Sequence, residues 1–395
     1  MLTPMRIYLD HAATTPLREE VLAAMTPYLT EHFGNPSSLH ATGRRARQGL
    51  DEARESVAAI LGAKPREVVF TGGGSESDNL AIKGAAWAAS ARGRHIVTSS
   101  VEHKAVLHTC AILERSGFEV TYLPVDRYGR VDPAELADAI TEHTTLVSIM
   151  YANNEVGTIQ PIAEIGAICR QRGVLFHTDA VQAGGFLPLD VDRLGVDLLS
   201  LGAHKLYGPK GVGALFVRQG TALLPQIQGG SQERQRRAGT ENVAGIVGLS
   251  RALELAQADP GARNDENAGL AGLRDRLFAG VRDLPGVEPT GHPTERLPHN
   301  ASLLVGGVEG GDLVAALDLE GVEASTGSAC TTGSAEPSHV LLSMGFEPER
   351  AHGALRLTAG RGTTADEVER TVSIIHTVVG RMRDAMPARP EVASA

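Results

Sequence analysis

Cysteine is scarce in this chain, which holds three cysteines among 395 residues. Cys110, Cys169 and Cys330 lie far apart, so neither a disulfide framework nor the short spacing of a zinc site is present. Cys110 and Cys169 each fall on the apolar stripe of a predicted helix, which indicates small core residues. This cysteine usage fits a reducing compartment. We therefore expect a cytoplasmic protein without a metal site.

Positive charge and long apolar runs are also lacking. The formal net charge is −10 and the sequence pI is about 5.8, so a broad nucleic-acid-binding face is not expected. One basic cluster, Arg234–Arg237, is either a solvated loop or a contact at a subunit edge. No apolar run approaches membrane-spanning length, and the first residues lack the apolar region of a signal peptide. The sequence predicts neither direct nucleic-acid binding nor membrane insertion.

The composition is that of an ordinary globular protein, with 42% hydrophobic and 21% charged residues. A chain of this length suits a large domain plus a smaller one. We place the large domain at residues 15–260 and the small domain at residues 1–14 plus 261–395. The boundary follows a polar, breaker-rich stretch, Asp259–Arg263, beyond which a helix and short strand-like runs such as Ala301–Val305 are predicted. Thr364 and Glu367 have the spacing of a capping box before a last amphipathic helix.

Apolar, β-branched runs alternate with helical patterns between Glu67 and Val217. Most runs lack strict alternation of polar and apolar residues, which is typical of strands covered by helices on both faces. Gly62 is expected to end one helix and Pro161 to begin another. The sequence therefore predicts an α/β fold with a mostly parallel seven-stranded sheet sandwiched by helices, and a smaller α+β domain. The predicted strands are Val68–Phe70, His95–Thr98, Glu119–Tyr122, Leu146–Ile149, Val174–Phe176, Asp197–Leu199 and Ala214–Val217.

A lysine and an acid follow two neighbouring predicted strands. Lys205 stands in a turn-rich stretch, Ala203–Gly211, and Asp179 stands directly after the preceding apolar run. Lysine can bond covalently to the aldehyde of pyridoxal phosphate, and a carboxylate can keep the pyridinium nitrogen protonated, so that the ring withdraws electrons. The pair therefore indicates a pyridoxal phosphate site, although a surface lysine in a turn would show the same local pattern.

A glycine turn lies between a predicted strand and a predicted helix, at Gly72–Gly74, and Ser75 follows it. Backbone N–H groups and the positive end of a helix dipole favour phosphate at such a position. The segment has neither the Gly-Lys-Ser/Thr of a P-loop nor the Gly-x-Gly-x-x-Gly of a dinucleotide site, so nucleotide binding fits poorly. We predict a cradle for the phosphate of the cofactor.

The third cysteine differs from the other two. Cys330 lies among small residues and glycines, with no apolar stripe around it. Such a composition predicts an exposed, mobile segment, from which a thiol could approach a bound substrate, attack it and move away. An incidental loop cysteine is the alternative interpretation.

These features belong to a larger set of motifs that runs nearly from end to end. The set resembles the cysteine desulfurases of the NifS/IscS type, which are relatives of the class V aminotransferases. The motifs that carry the resemblance are Tyr8–Pro16, Phe33–Ser38, Ser75–Asn79, Val101–Lys104, Asn153–Gly157, Asp179–Gln182, His204–Lys205, Arg237–Asn242, Gly327–Thr331 and Leu355–Leu357.

The resemblance implies a pyridoxal 5′-phosphate enzyme of fold type I that works as a homodimer with its active sites at the subunit interface. It implies conversion of L-cysteine to L-alanine, with the sulfur left as a persulfide on an enzyme cysteine. A sulfur-acceptor protein would then carry the sulfur towards iron–sulfur cluster assembly, tRNA thiolation, or both.

The resemblance also implies a role for each matched residue. The implied catalytic residues are Cys330 as sulfur acceptor, Lys205 as cofactor-bearing base, and His103 as a proton shuttle stacked on the ring. The implied cofactor contacts are Gly74, Ser75, His204 and Thr240 of the partner subunit at the phosphate, Asp179 at the pyridinium, and Gln182 and Asn154 at the ring hydroxyl or substrate. The implied substrate side consists of Asn35, Asn154 and Arg356, whose planar guanidinium suits a carboxylate.

Two positions depart from the family pattern. Gly202 stands where many relatives carry a serine that meets the phosphate, and Gly229–Ser231 replaces a common triple glycine. Neither departure touches the lysine, the acid or the thiol, so we expect them to affect cofactor affinity rather than reaction type.

Other functions stay open at this point. A class V transaminase would use Lys205 and Asp179 but leave Cys330 without a role, and a selenocysteine lyase would share the whole site. A non-catalytic sulfur-assembly scaffold is disfavoured because the lysine, the acid and the thiol are all present. The sequence does not identify the sulfur acceptor or reveal whether an activator protein is required.

Overall fold

The computed structural model describes residues 6–327 and 336–385. The strands, in chain order, are β1 (Ile7–Tyr8), β2 (Val68–Thr71), β3 (His95–Ser99), β4 (Glu119–Leu123), β5 (Thr144–Ser148), β6 (Leu175–Asp179), β7 (Leu198–Gly202), β8 (Gly213–Val217), β9 (Val287–Pro289), β10 (Asn300–Val305), β11 (Val322–Glu323) and β12 (Ala354–Thr358). The helices are α1 (Glu19–Thr30), α2 (Ala41–Leu61), α3 (Gly74–Ala89), α4 (Lys104–Arg115), α5 (Pro133–Ala139), α6 (Ile162–Arg172), α7 (Val191–Leu194), α8 (Gln232–Gln235), α9 (Val243–Gln257), α10 (Pro260–Val281), α11 (Gly310–Leu319), α12 (His339–Ser343), α13 (Pro348–Ala351) and α14 (Ala365–Asp384).

Seven strands form one mixed sheet in the order β2-β8-β7-β6-β5-β3-β4. Neighbouring strands from β7 to β4 in this order are parallel, whereas β8 runs antiparallel to both of its neighbours. The exception follows from chain length, because residues 203–212 are too few for the crossover of about a dozen or more residues that a parallel pair needs. The predicted mostly parallel, seven-stranded sheet is confirmed, and each predicted run overlaps one of its strands.

Helices cover both faces of this sheet, which explains why its strands are apolar on both sides. Every residue of β3, β5, β7 and β8 is buried. One cluster of buried side chains joins the sheet to α2, α6 and α9, and another joins the opposite face to α3 and α4. Cys169 belongs to the first cluster and Cys110 to the second, so both are the small core residues that the sequence predicts.

A second unit is built mainly from the last third of the chain. β12, β10 and β9 form an antiparallel sheet, and β1 pairs in parallel with β11. Ile7 and Leu9 are buried in the same cluster as residues of α10, α11 and α14, which places the start of the chain beside its end. The division into residues 15–260 and residues 1–14 plus 261–395 stays a prediction, which these separate sheets and clusters support.

Local capping rules were mostly sufficient to predict the helix ends. Gly62 ends α2 with φ of 67°, and the Thr364–Glu367 capping box begins α14, as predicted. The stretch Asp259–Arg263 differs from the prediction, because α10 already begins at Pro260. The Asp259 carboxylate accepts hydrogen bonds from Gly261 N and Ala262 N. This stretch is therefore the capped first turn of the helix, and not a loop that precedes it. In the described part of the chain, no helix has the length and apolarity to cross a membrane.

The carboxyl ends of β2, β6 and β7 meet at one edge of the seven-stranded sheet. β2 and β7 are both antiparallel to β8 and therefore point the same way, and β6 is parallel to β7. Asp179 ends β6, a 3-10 turn at Ala203–Lys205 follows β7, and the glycine turn separates β2 from α3. Segments far apart in sequence thus reach the edge where open α/β sheets bind ligands.

Candidate active site

A cavity of about 600 Å³ opens at this edge of the sheet. Most of the predicted site residues line it, although they come from many separate segments of the chain. The predicted residues in its lining are Gly74, Ser75, His103, Asn154, Asp179, Gln182, His204, Lys205 and Arg356. The structure therefore brings residues from separate motifs together in one cavity.

Lys205 is held at the cavity by the backbone of the first loop of the chain. Its Nζ donates hydrogen bonds to Ala12 O at 2.5 Å and to Ala13 O at 2.7 Å. Gln182 Nε2 donates to the same Ala12 carbonyl at 2.9 Å. The loop therefore fixes both the lysine amine and the glutamine amide, although it precedes Lys205 by 192 residues.

Asp179 is buried on the floor of the cavity, with 6% of the residue exposed. Its Oδ1 accepts a hydrogen bond from Val181 N at 2.9 Å. Burial raises the pKa of the Asp179 carboxyl, and the nearby His103 and Lys205 act in the opposite direction. An acid in this setting has His103 and Lys205 at hand but little water, which suits a contact with the protonated nitrogen of a ring.

A second acid, Asp78, lies behind Asp179. One ligand atom each of Asp78, His103 and Asp179 lies within 4.8 Å of the others. Burial and then the charge of Asp179 raise the pKa of Asp78 well above its usual range. Asp78 Oδ1 lies 3.6 Å from His177 Nε2 and has no hydrogen-bond partner among the described residues, so ionisation of Asp78 beside Asp179 is unfavourable.

His103 occupies the first position before α4, at the side of the cavity. Its Nδ1 accepts a hydrogen bond from Ala105 N at 3.1 Å, which caps the helix. In the neutral imidazole this contact leaves the proton on Nε2. The cap therefore fixes both the ring orientation and the tautomer.

The glycine turn and the start of α3 form a concave wall of backbone. Gly73 has φ of 149°, and a Cβ at Gly74 would lie 2.5 Å from Val181 Cγ2. Glycine is required here because the backbone approaches Val181 and turns sharply into the helix. His204 lines the same cavity, and burial, together with Lys205 and Lys210, lowers its pKa to about 4, so its ring is neutral at pH 7. This set of backbone and side-chain donors fits a phosphate group.

Arg356 is 2% exposed and makes an ion pair that the sequence does not predict. Its Nη2 lies 2.8 Å from Asp10 Oδ1, and its Nη1 donates to Asn154 O at 2.8 Å and to Gly327 O at 3.0 Å. Arg356 Nε is buried and has no hydrogen-bond partner among the described residues. The residue as a whole belongs to the lining of the cavity, where its guanidinium is held in place by these three contacts.

The remaining predicted residues are not part of this lining. Asn35 and Thr240 are exposed, and neither contributes to the cavity that the described residues form. Thr240 borders a separate pocket with Gly72 and Arg237. Cys330 lies outside the described residues, and Gly327, which precedes it by three positions, lines the cavity.

Comparison with known proteins agrees with this geometry. Residues 7–371 match the family described as aminotransferase class-V. The chain belongs to the aminotransferase class V family. A cysteine desulfurase IscS of Methanosarcina thermophila is 52% identical to this chain, over 98% of the chain and 95% of the relative.

The fold of this chain is also similar to that of several solved structures. A NifS-like protein has a TM-score of 0.89 and 38% identity, and the match covers 95% of this chain and 100% of that one. A structure described as SspA in complex with cysteine has a TM-score of 0.78 and 37% identity, with 90% and 98% covered. The predicted fold and the predicted relationship to the NifS/IscS proteins are both confirmed.

The motifs gave no role to several charged groups of this class V site. The matched motifs contain five charged residues to which the sequence assigns no role: Asp10, Glu76, Asp78, Glu102 and Arg237. Only Glu76 had a local signal, because an acid in the first turn of a helix that follows a glycine turn can fold back onto the turn. The partners of Asp10 and Asp78 lie far away in sequence, so no local pattern indicates them.

Proposed function

We propose that this class V enzyme is a cysteine desulfurase that converts L-cysteine to L-alanine and passes the sulfur to Cys330 as a persulfide. The juxtaposition of Lys205 and Asp179 in one cavity, which the glycine turn also lines, carries the proposal. The full-length relative at 52% identity bears the name of this activity, which supports the same reaction here.

The chain uses pyridoxal 5′-phosphate, the cofactor of its family. Gly74, Ser75 and His204 would hold the phosphate, and Asp179 would pair with the ring nitrogen. His103, Gln182 and Asn154 would contact the ring or the substrate. Bound pyridoxal phosphate supplies an aldehyde that captures the substrate amine and a ring that withdraws electrons from the substrate carbon.

Lys205 acts as the general base in this proposal. Its Nζ removes the Cα proton of cysteine and later returns a proton. An amine whose pKa lies near the working pH is best suited to this exchange. The carbonyls of Ala12 and Ala13 orient the amine at 2.5 and 2.7 Å. His103, whose neutral ring carries its proton on Nε2, would transfer protons to and from the sulfur atoms.

Arg356 binds the substrate carboxylate in this proposal. The ion pair with Asp10 positions the guanidinium in the lining of the cavity, where its planar fork suits a carboxylate. Asn35 would contribute to the same side of the site. The carboxylate would thereby be held beside Gly327, which precedes Cys330 by three positions.

The sulfur transfer balances without an added oxidant. The Cys330 thiolate attacks the substrate sulfur, an S–S bond forms, and the C–S bond breaks with its electron pair left on the carbon, which takes up a proton to become the methyl group of alanine. Cys110 and Cys169 cannot serve, because burial raises the pKa of each thiol to about 12. Among the three cysteines, only Cys330 follows a cavity-lining residue at close range.

A homodimer completes the site in this proposal. Thr240 of the partner subunit would bind the phosphate, which agrees with its exposure in the single chain. A sulfur-acceptor protein would take the persulfide sulfur for iron–sulfur cluster assembly, tRNA thiolation, or both. We further propose a cytoplasmic location.

The reaction is tested by measuring alanine release from L-cysteine without any keto acid. We expect alanine to form, and we expect Cys330→Ala to bind the cofactor but to lose alanine production. A transaminase would form alanine only if a keto acid were added to accept the amino group of cysteine, so full activity of Cys330→Ala, or a strict need for a keto acid, would refute the proposal.

A further inference from the structure

Glu76 is a charged residue of the cavity lining that the proposed reaction does not use. It lies in the first turn of α3, and its Oε2 accepts a hydrogen bond from Gly72 N at 2.7 Å. A Cβ at residue 72 would lie 2.6 Å from the same oxygen, so only glycine fits there without a shift. The carboxylate therefore fixes the entrance of the glycine turn.

This position of a carboxylate conflicts with the binding of a phosphate. The free N–H groups and the dipole at the start of α3 favour one anion, and Glu76 already accepts from the turn that leads into the helix. A phosphate dianion bound at Gly74 and Ser75 would be repelled by a bare carboxylate on the same turn. The turn can bind phosphate well only if the charge of Glu76 is compensated.

Arg237 provides this compensation. Its Nε lies 2.8 Å from Glu76 Oε1 and its Nη2 lies 3.2 Å from Oε2, so the contact is a two-point pair. The hydrogen bond with Glu76 raises the pKa of Arg237 above its usual value. Both side chains are about one quarter exposed, at 24% and 27%, so the pair is only partly screened by water.

The segment that carries Arg237 is firmly anchored. Glu233 and Arg234 adopt left-handed backbone angles, with φ of 47° and 56°, which are unfavourable for residues with side chains. The buried Glu233 carboxylate holds this bend, because it pairs with Arg54 at 2.6 and 2.7 Å and accepts from Phe70 N at 2.9 Å. Arg237 is thus presented to Glu76 from a fixed support that is attached to β2, the strand preceding the glycine turn.

We propose that Glu76 and Arg237 are a positioning pair for the cofactor phosphate, in which Glu76 shapes the glycine turn and Arg237 cancels its charge. This proposal rests on the proposed function, since it assumes that the turn binds the phosphate of pyridoxal 5′-phosphate. The proposal gives Arg237, the first residue of the Arg237–Asn242 motif, a role within its own subunit. This role is separate from the phosphate contact proposed for Thr240 of the partner subunit.

The pair is tested by titrating cofactor-free protein with pyridoxal 5′-phosphate and, separately, with pyridoxal, which lacks the phosphate. We expect Arg237→Ala to weaken binding of pyridoxal 5′-phosphate by about 10-fold and binding of pyridoxal by no more than about twofold. Arg237→Lys, which keeps the charge, should recover most of the loss. Arg236→Ala is the matched control, because Arg236 lies on the same segment but donates to Arg66 O.

A double variant shows whether Arg237 acts by cancelling the charge of Glu76 or only by holding the Glu76 side chain in place. Glu76→Gln removes the negative charge and keeps an oxygen for Gly72 N, so Glu76→Gln combined with Arg237→Ala should bind within about threefold of wild type. A double variant as weak as Arg237→Ala, or an equal loss for pyridoxal, would overturn the proposal. A wild-type chain that binds neither compound would refute the proposed function itself, and this pair with it.

Discussion

The floor of the cavity and its rim differ in how their residues are held. On the floor, Asp179 and Gln182 are 6% and 8% exposed, and both are fixed by hydrogen bonds within the chain. By the rim we mean Asn35 and Thr240, two proposed site residues that are exposed and lie outside the lining of the cavity. One chain thus supplies the floor, whereas we infer that the rim becomes functional with a second subunit.

The difference has a physical origin. Floor residues follow strands of a sheet that is covered on both faces, so their backbone positions are set by the core. Rim residues belong to connecting segments on the surface, where a partner can approach. We therefore assign the chemistry that needs fixed atoms to the floor, and contacts with a second subunit to the rim.

Removal of the floor lysine should have the largest effect. We expect Lys205→Ala to lower alanine release from L-cysteine by about 10²–10⁴-fold or more, because both the covalent anchor and the general base are lost. Lys64→Ala is the matched control, since Lys64 reaches only Gln219 on the surface. Near-normal turnover in Lys205→Ala would refute the assignment of the floor.

Arg356 belongs to the lining of the cavity, and its replacement should rank next. Lysine keeps the charge but not the planar fork, so Arg356→Lys should raise KM for L-cysteine by about 10- to 100-fold, with a smaller change in kcat. Arg350→Lys, at an arginine that pairs with Glu288, serves as the control. If kcat falls while KM is unchanged, Arg356 does not bind the substrate carboxylate.

The rim residue Thr240 should show an effect of similar size, but on binding of the cofactor. Loss of one hydrogen bond to a charged phosphate costs about 1.5–3 kcal/mol, so Thr240→Ala should weaken binding of pyridoxal 5′-phosphate by about 10- to 100-fold. Thr377→Ala on α14 is the control, because its hydroxyl bonds only to Ser373 O within the helix. Unchanged affinity in Thr240→Ala would remove the partner subunit from the phosphate site.

Glu102 offers the mildest test, through the pH dependence of folding. Burial raises the pKa of Glu102 to about 8, against 4.5 for an exposed glutamate, although Ser99 Oγ and Met150 N donate to it. The folded chain therefore keeps a proton that the unfolded chain releases, and this contribution to stability is lost as the pH rises from about 4.5 to 8.

Because Glu102 binds one proton, its contribution to the pH dependence of the free energy of unfolding has an upper limit. The free energy of unfolding should fall by at most about 1.4 kcal/mol per pH unit on account of Glu102, and Glu102→Gln should lack this part of the slope. Urea unfolding of both proteins from pH 5 to 8 measures the difference. Parallel pH profiles would mean that Glu102 is ionised in the folded state throughout.

The fold could be predicted largely because its sheet is covered on both faces. Uninterrupted apolar runs indicated all seven strands, and Gly62 and Thr364 indicated helix ends. The direction of β8 was not predicted, since an apolar run has no direction and only the short connection after Lys205 decides it. The start of α10 at Pro260 was also missed, because proline and glycine in a first turn look like loop residues.

The site could be predicted only where its chemistry leaves a local motif. Lys205, Asp179 and the glycine turn each follow a strand, so topology alone brings them together. The ion pair between Arg356 and Asp10 joins residues 346 positions apart, and no sequence pattern indicates it. The same holds for Glu233 and Arg54, whose pairing appears only once the chain is folded.

The central claim is that sulfur from cysteine is collected by Cys330 and not by the two buried cysteines. Mass spectrometry of peptides from protein incubated with L-cysteine, after alkylation without reduction, localises the added sulfur among Cys110, Cys169 and Cys330. The account predicts a mass increase of one sulfur atom on the peptide that contains Cys330 and none on the other two. Sulfur found on Cys110 or Cys169 instead, or alanine formed while Cys330 gains no sulfur at any time, would contradict it.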